Sequence, residues 1–461
     1  MNPTTFSLNG RALDLADENP KQPLLRWLRE RHLTGTKEGC GDGDCGACTV
    51  VLREPDGAGG SHFVAVNSCL LPMGALPGRE VLTVEALAEG ASLHPVQRAM
   101  VDHGGSQCGY CTPGFVMSLF AGYYEGELSD HATEGNLCRC TGYRSIRDAA
   151  AALRMHPRDT DRFDALRAAP RAPQGAAALE GFHSPAALAD ALALKAAHPE
   201  AAFIAGGTDL GVNLSRGQAV APAFIALDRV VELHAIDVDE TRVRIGAGVP
   251  LTRIERELAG LFPALDELLP WFAARQVRNR ATLGGNLGSA SPIGDLAPVL
   301  LALDATLELA GPSGRRSVAL ADFFLDYRKT ARAPEEIIVA VTLPRRDDIA
   351  QAGYKVAKRQ TDDISIVAAA FALARDAQGV VTHARLAFGG VAATPKRALE
   401  VEAALLGKPL DAAAVETART ALTQAFTPIS DHRASAAYRR ALCGNLFAKF
   451  AREKLGAEGA A

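Results

Sequence analysis

Apolar and polar positions change rhythm several times along the chain. Up to residue 86, short apolar runs at 6–8 and 49–52 alternate with glycine-rich turns around one helical stretch at 23–32, which predicts a small α+β domain. From 87 to 156 the spacing turns helical: Val96, Met100 and Val101, then Phe115, Leu119 and Phe120, then Ile146 and the alanine-rich run to Leu153. That pattern predicts a short helical bundle. Residues 157–176 are rich in proline, alanine and charge without a sustained apolar stripe, and read as a linker. A larger α+β region follows at 177–347, with a helix expected at 184–198 and strands at 202–205, 242–247, 305–309 and 337–343. The last region, 348–457, predicts strands at 364–374 and 382–388 and then alanine-rich helices. No repeat of solenoid period is present.

The 461 residues are too many for one ordinary core, in keeping with several domains. With 48% hydrophobic and 22% charged residues the composition is that of a folded globular protein. A formal net charge of −4 supplies no basic field for nucleic acid, and no apolar run reaches membrane-spanning length. The opening MNPTTFSLNG lacks a basic and then apolar leader, so a soluble cytoplasmic protein with neither nucleic-acid nor membrane partners is expected.

Eight of the nine cysteines lie before residue 141, too clustered for a disulfide framework and suggestive of metal. Cys40, Cys45 and Cys48, followed by Cys69, have the C-x4-C-x2-C…C spacing of a plant-type [2Fe–2S] site. Four thiolates also suit structural zinc, but glycine at three of the six intervening positions (Gly41, Gly43, Gly46) is poor zinc spacing and instead frees backbone N–H groups for cluster sulfur. Cys108 and Cys111, with Cys138 and Cys140, supply four more thiols that can hold a second [2Fe–2S] centre. A thioredoxin-like redox pair at Cys108 and Cys111 is the alternative; it lacks a βαβ setting and leaves Cys138 and Cys140 unexplained. Cys443 stands alone in a helical stretch and reads as a small buried hydrophobe.

A plant-type cluster domain followed by GSQCGYCTPGF and GNLCRCTGY resembles the molybdenum hydroxylase family, which includes xanthine dehydrogenases, aldehyde oxidoreductases and carbon monoxide dehydrogenases. The resemblance covers nearly the whole chain. It implies a ferredoxin-like β-grasp domain, a helical [2Fe–2S] bundle, a vanillyl-alcohol-oxidase-type FAD domain and a C-terminal flavin-associated α+β domain.

The resemblance implies that Gln107 contacts the pterin of a molybdenum cofactor held by a partner. Two glycine-rich turns, each weak evidence alone, gain meaning from it: Ile204, Ala205, Gly206, Gly207, Thr208, Asp209 and Leu210, with Thr282, Leu283, Gly284, Gly285 and Asn286, are expected to wrap the FAD pyrophosphate. Phe272 is expected against the isoalloxazine, and Asp295, Ile338 and Lys355 at flavin-touching positions. The stretch from Tyr354 through Asp362 and Asp363 to Ile364 matches a loop near the flavin that controls NAD⁺ access in relatives; a charged surface hairpin is the equal alternative.

The order cluster, cluster, flavin is most similar to the smaller chains of two-subunit bacterial xanthine dehydrogenases. It implies electron transfer from hypoxanthine or xanthine oxidation on a large molybdenum-cofactor subunit, in an assembly of two small and two large chains, through two [2Fe–2S] clusters to FAD and NAD⁺. No catalytic residue for the substrate is expected in this chain. A partner acting on aldehydes or other heterocycles, or a stand-alone iron–sulfur flavin reductase, is the alternative.

Overall fold

The computed structural model describes residues 4–155, 158 and 160–456, which form two compact units. The first runs to Val231 and also takes in Ala273–Ala281; the second comprises Glu232–Phe272 and the chain from Thr282 onward. Of the residues expected to bind flavin, 204–210 fall in the first unit and the others in the second.

In the first unit a five-stranded sheet has the order Arg11–Asp14, Thr5–Leu8, Glu80–Leu82, Thr49–Pro55, Ser61–Asn67, with Thr5–Leu8 and Glu80–Leu82 parallel and the other pairs antiparallel. Thr49–Pro55 is buried on both faces, which explains its unbroken apolar run. Because strand side chains alternate, Val50 and Leu52 join Phe6, Trp27 and Leu28 beneath the helix Leu24–Glu30. Val51 points the other way, to a core shared with Phe115, Leu119 and Phe120 of the helical bundle.

That bundle consists of Pro95–Asp102, Thr112–Glu125 and Arg144–Met155. His94 caps the first helix with its ring nitrogen, Pro113 occupies the opening turn of the second, and Gly126 ends it in a left-handed conformation at φ 75°. The stretch read as a linker contains a helix, Arg162–Ala168, capped by Asp161, with Phe163 buried among Phe63, Phe120 and Tyr124. One aromatic anchor without a periodic stripe left no signal in the sequence.

A four-stranded sheet, ordered Ala177–Leu179, Phe182–Ser184, Phe224–Ala226, Ala202–Ile204, completes the unit, with the helices Leu188–Ala197 and Leu210–Ser215. Phe182, Ile204 and Phe224 share one core with Leu71, Met73 and Leu76 of the ferredoxin-like domain.

The second unit begins with an antiparallel sheet ordered Ile236–Val238, Arg242–Gly246, Ile337–Pro344, Thr306–Gly311, Gly314–Ala319. Gly314–Ala319 is almost wholly exposed and carries two arginines, so it lacked the alternation by which its neighbours are recognised. A second sheet follows, Ala350–Val356, Val367–Arg375, Val381–Gly389 and Lys396–Arg397. Phe371 and Phe388 on it pack with Phe447 and Phe450 of the long helix Ala436–Leu455. Cys443 lies fully buried in that core, and burial pushes its thiol up to about 12, as suits an inert hydrophobe. No helix among the described residues is long and apolar enough to cross a membrane.

Candidate functional site

The loop between helix Leu24–Glu30 and strand Thr49–Pro55 carries Cys40, Cys45 and Cys48, and the turn after strand Ser61–Asn67 carries Cys69. All four are free thiols standing where metal-bound thiolates would be. Cys48 and Cys69 lie 3.4 Å apart, sulfur to sulfur, and Cys40 hydrogen-bonds Cys45. Backbone N–H groups of Cys40 and Asp42 donate to the sulfurs of Cys45 and Cys40 at 3.3 Å each. The Cys45 thiol, hydrogen-bonding Cys40, pulls Cys40 down to about 5 and is itself raised; Cys48 is likewise lowered by its bond to Cys69.

The second quartet pairs in the same way, Cys108 with Cys140 and Cys111 with Cys138. Burial pushes Cys111 up to about 12. Cys138 is lowered despite its burial because the hydroxyl and backbone N–H of Thr141 lie 3.2 and 3.4 Å from its sulfur. Among the described residues no three or more His, Cys, Asp or Glu side chains converge on one point as a single ion requires. Thiols gathered two by two fit a pair of irons, each taking two thiolates, better than one tetrahedral zinc.

The two loops touch. Leu137 donates its N–H to the carbonyl of Cys45 at 3.0 Å, and Asn136 donates to that of Gly46 at 2.9 Å. Gly46, at φ +64°, has its missing side chain's place taken by the Gly135 carbonyl, 2.2 Å from where a Cβ would lie. Tyr110, next to Cys111, donates its hydroxyl to the carbonyl of Glu38. Gln107, Cys108 and Cys140 are exposed, with Tyr110 and Leu137 as apolar neighbours open to solvent.

The turn 204–210 lies against the first quartet. Gly211 has no room for a side chain because the carbonyl of Leu70, the residue after Cys69, is 2.4 Å from its would-be Cβ. Gly206 is pressed harder still, 1.7 Å from the Arg280 carbonyl by the same measure. Arg216, just past the helix Leu210–Ser215, grips Asp42 between Cys40 and Cys45 with two bonds of 3.0 and 2.7 Å. A narrow crevice of about 10 Å³, room for about one water, lies here, lined by Asn67, Leu70, Gly206, Thr208, Gln276 and Arg280.

The other expected flavin residues belong to the second unit. Thr282 caps the helix Leu283–Gly288, its hydroxyl accepting the Gly285 N–H at 3.0 Å, and Gly288 approaches Ile338. Lys355 and Asp295 form a buried ion pair at 2.8 Å; Lys355 also donates to the Trp271 carbonyl beside Phe272, and Ser365 donates to Asp295 at 2.5 Å. Phe272 is half-buried. Asp363 is spent within its own loop, accepting N–H groups of Arg359 and Ile364. Asn136, Arg216 and Gln276 escaped the sequence reading, since their partners are distant in the chain.

Four family models tile the chain: 2Fe-2S iron-sulfur cluster binding domain at 6–73, [2Fe-2S] binding domain at 83–151, FAD binding domain in molybdopterin dehydrogenase at 177–346, and CO dehydrogenase flavoprotein C-terminal domain at 352–454. The chain is 32% identical, over 96% of its length, to a xanthine dehydrogenase of Emericella nidulans and spans 38% of that protein. It is 33% identical, over 87% of its length, to the xanthine dehydrogenase/oxidase of Mus musculus, spanning 35% of it. The chain thus spans less than two-fifths of either relative.

Among solved structures, a chain of the carbon monoxide dehydrogenase of Hydrogenophaga pseudoflava that lacks the Mo-pyranopterin moiety superposes with a TM-score of 0.56 at 30% identity, covering 60% of this chain and 96% of its own. Quinoline 2-oxidoreductase of Pseudomonas putida 86 gives 0.56 at 28% identity, covering 61% and 98%. Fold and thiol sites together define an iron–sulfur flavoprotein. The chain belongs to the molybdenum hydroxylase family, as its iron–sulfur and FAD electron-transfer module.

Proposed function

We propose that this chain is the small subunit of an NAD⁺-linked xanthine dehydrogenase, receiving electrons from hypoxanthine or xanthine oxidised at a molybdenum centre on a large partner subunit. Its action is in the cytoplasm, in an assembly of two small and two large chains. When bound, two [2Fe–2S] clusters supply one-electron carriers and FAD converts these electrons into hydride for NAD⁺.

The observation that carries the reading is the continuous arrangement of both thiol quartets and the 204–211 turn, with Leu137 hydrogen-bonded to Cys45 and Leu70 packed on Gly211. Cys108, Cys111, Cys138 and Cys140 hold the cluster nearer the partner, on the face where Gln107, Tyr110 and Leu137 are open to receive it. Cys40, Cys45, Cys48 and Cys69 hold the cluster nearer the flavin. The turns 204–210 and 282–286 bind the FAD pyrophosphate, Phe272 lies on the isoalloxazine, and Asp295, Ile338 and Lys355 fix the ring's surroundings. The carbonyls of Cys45 and Gly46 accept bonds from the second quartet's loop, which keeps each loop from drifting.

Purification with the large chain tests the reading. About four irons and four labile sulfides per small chain, one FAD, and xanthine-dependent NADH formation are expected. Cys138→Ser preserves NADH-dependent reduction of artificial acceptors by the flavin and abolishes xanthine-dependent NAD⁺ reduction; survival of the latter refutes the route. A panel of hypoxanthine, xanthine and aldehydes decides the substrate.

A further inference from the structure

Between the two cysteine loops lies a buried polar hub of four side chains, Thr49, Ser118, Asn136 and Gln276, each no more than 2% exposed, in which the Gln276 side-chain oxygen has no hydrogen-bond partner among the described residues. Ser118 donates to the Asn136 side-chain oxygen at 2.6 Å. Asn136 and Thr49 donate to the same Gly46 carbonyl at 2.9 and 2.6 Å. The Gln276 amide reaches three of these groups at once, at 3.0 Å from Asn136, 3.1 Å from Ser118 and 3.4 Å from Thr49. Thr49 follows Cys48, Asn136 precedes Cys138 by two residues, and Ser118 rides on the helix that starts just after Cys111.

The structure assigns Gln276 as the positioning residue that holds the two cysteine loops in register. It is the hub's one member from neither cluster domain. It arrives on Ala273–Ala281, which is pinned just after it to both cluster domains: Arg278, fully buried, pairs with the buried Glu134, four residues before Cys138, and Asn279 donates to the carbonyl of Ala65, four residues before Cys69, at 2.8 Å.

The buried Gln276 nitrogen tolerates little slack, because a donor taken from water and left without an acceptor is destabilising. Movement of either loop alone lengthens at least one of the three contacts, which share the two N–H groups of the Gln276 nitrogen. Gly135 is tied to the same side chain, since a Cβ there would lie 2.0 Å from the Gln276 side-chain oxygen. This assignment rests on the iron–sulfur reading given above.

The test uses the full holoprotein, reduced with dithionite and observed by low-temperature electron paramagnetic resonance. In the wild type the two reduced centres give two signals split by their mutual spin coupling. Gln276→Leu keeps about four irons per chain, yet the splitting changes and electron equilibration between the centres slows at least about threefold, a threshold of about 0.65 kcal/mol in barrier height. Gln276→Glu, which keeps shape and removes the donors, moves the same readouts in the same direction and stands in should the leucine variant fail to fold.

Val116→Ala, a cavity in the same bundle at a residue outside the hub, lowers the melting temperature and leaves the splitting as in the wild type. Unaltered splitting and kinetics in a folded Gln276 variant overturn the assignment, as does an equal change in Val116→Ala. Absence of two iron–sulfur signals in the wild type instead overturns the functional reading.

Discussion

Substituting alanine for Gly46 measures how tightly the two thiol loops are pressed together. The residue sits at φ +64°, where a Cβ costs about 1–2 kcal/mol in any protein. Here the added carbon also lies 2.2 Å from the Gly135 carbonyl and 2.5 Å from the Asn136 amide, well inside the 3.0 Å that real Cβ contacts respect. The loops must separate by about 0.8 Å. That opening breaks the 3.0 Å bond from Leu137 to Cys45, and overpacking of this kind costs about 1–3 kcal/mol. Gly10→Ala is the matched control, with φ +81° and nothing within 4 Å of its Cβ position.

The contact alone is therefore worth about 1–3 kcal/mol, and at roughly 2–4 °C per kcal/mol for a unit of this size Gly46→Ala melts about 2–12 °C below Gly10→Ala. Scanning calorimetry of both variants, with iron and sulfide determined per chain, reads the difference. Equal melting temperatures and equal iron content in the two variants refute the claim that the loops bear on each other.

Two further outcomes follow from buried titratable groups. His94 is held neutral: its Nδ1 accepts the Val96 N–H at 3.2 Å, and burial pushes its pKa down to about 4 from 6.5. The imidazole's contribution is thus complete above pH 6.5 and is lost as pH falls toward 4, about 2 kcal/mol being gone by pH 5. His94→Asn, which preserves a cap, gives a flatter profile of melting temperature against pH; a parallel profile contradicts this. Lys355→Met leaves Asp295 charged and buried with Ser365 as its remaining side-chain donor, and destabilises by about 3–5 kcal/mol with loss of FAD. The double variant Lys355→Met with Asp295→Asn recovers part of that stability in denaturant melts, and no recovery argues against the pair.

The grouping of eight cysteines into two sets was visible in the sequence because most of them sit close together in the chain, in loops marked by glycine. The strands feeding the cores were legible from their alternation. What was hidden depends on residues far apart: Gln276 meets Thr49 across 227 positions and reads locally as one polar residue in a basic turn. Arg216 reads as an ordinary surface cation until Asp42 is placed opposite it. Phe163 shows how a single buried ring orders a stretch whose composition is that of a tether. The division of the chain into two units follows from packing, which no local rhythm encodes.

The doubly covered strand Thr49–Pro55 has a consequence for how this polypeptide can be cut. Ending the chain after residue 86 would strip Val51, Phe63, Ala65 and Leu82 of their partners and present an oily sheet face to water. The excised ferredoxin-like piece would cling to copies of itself, so any gene fission that split the two thiol domains would have to rewrite that face with polar side chains.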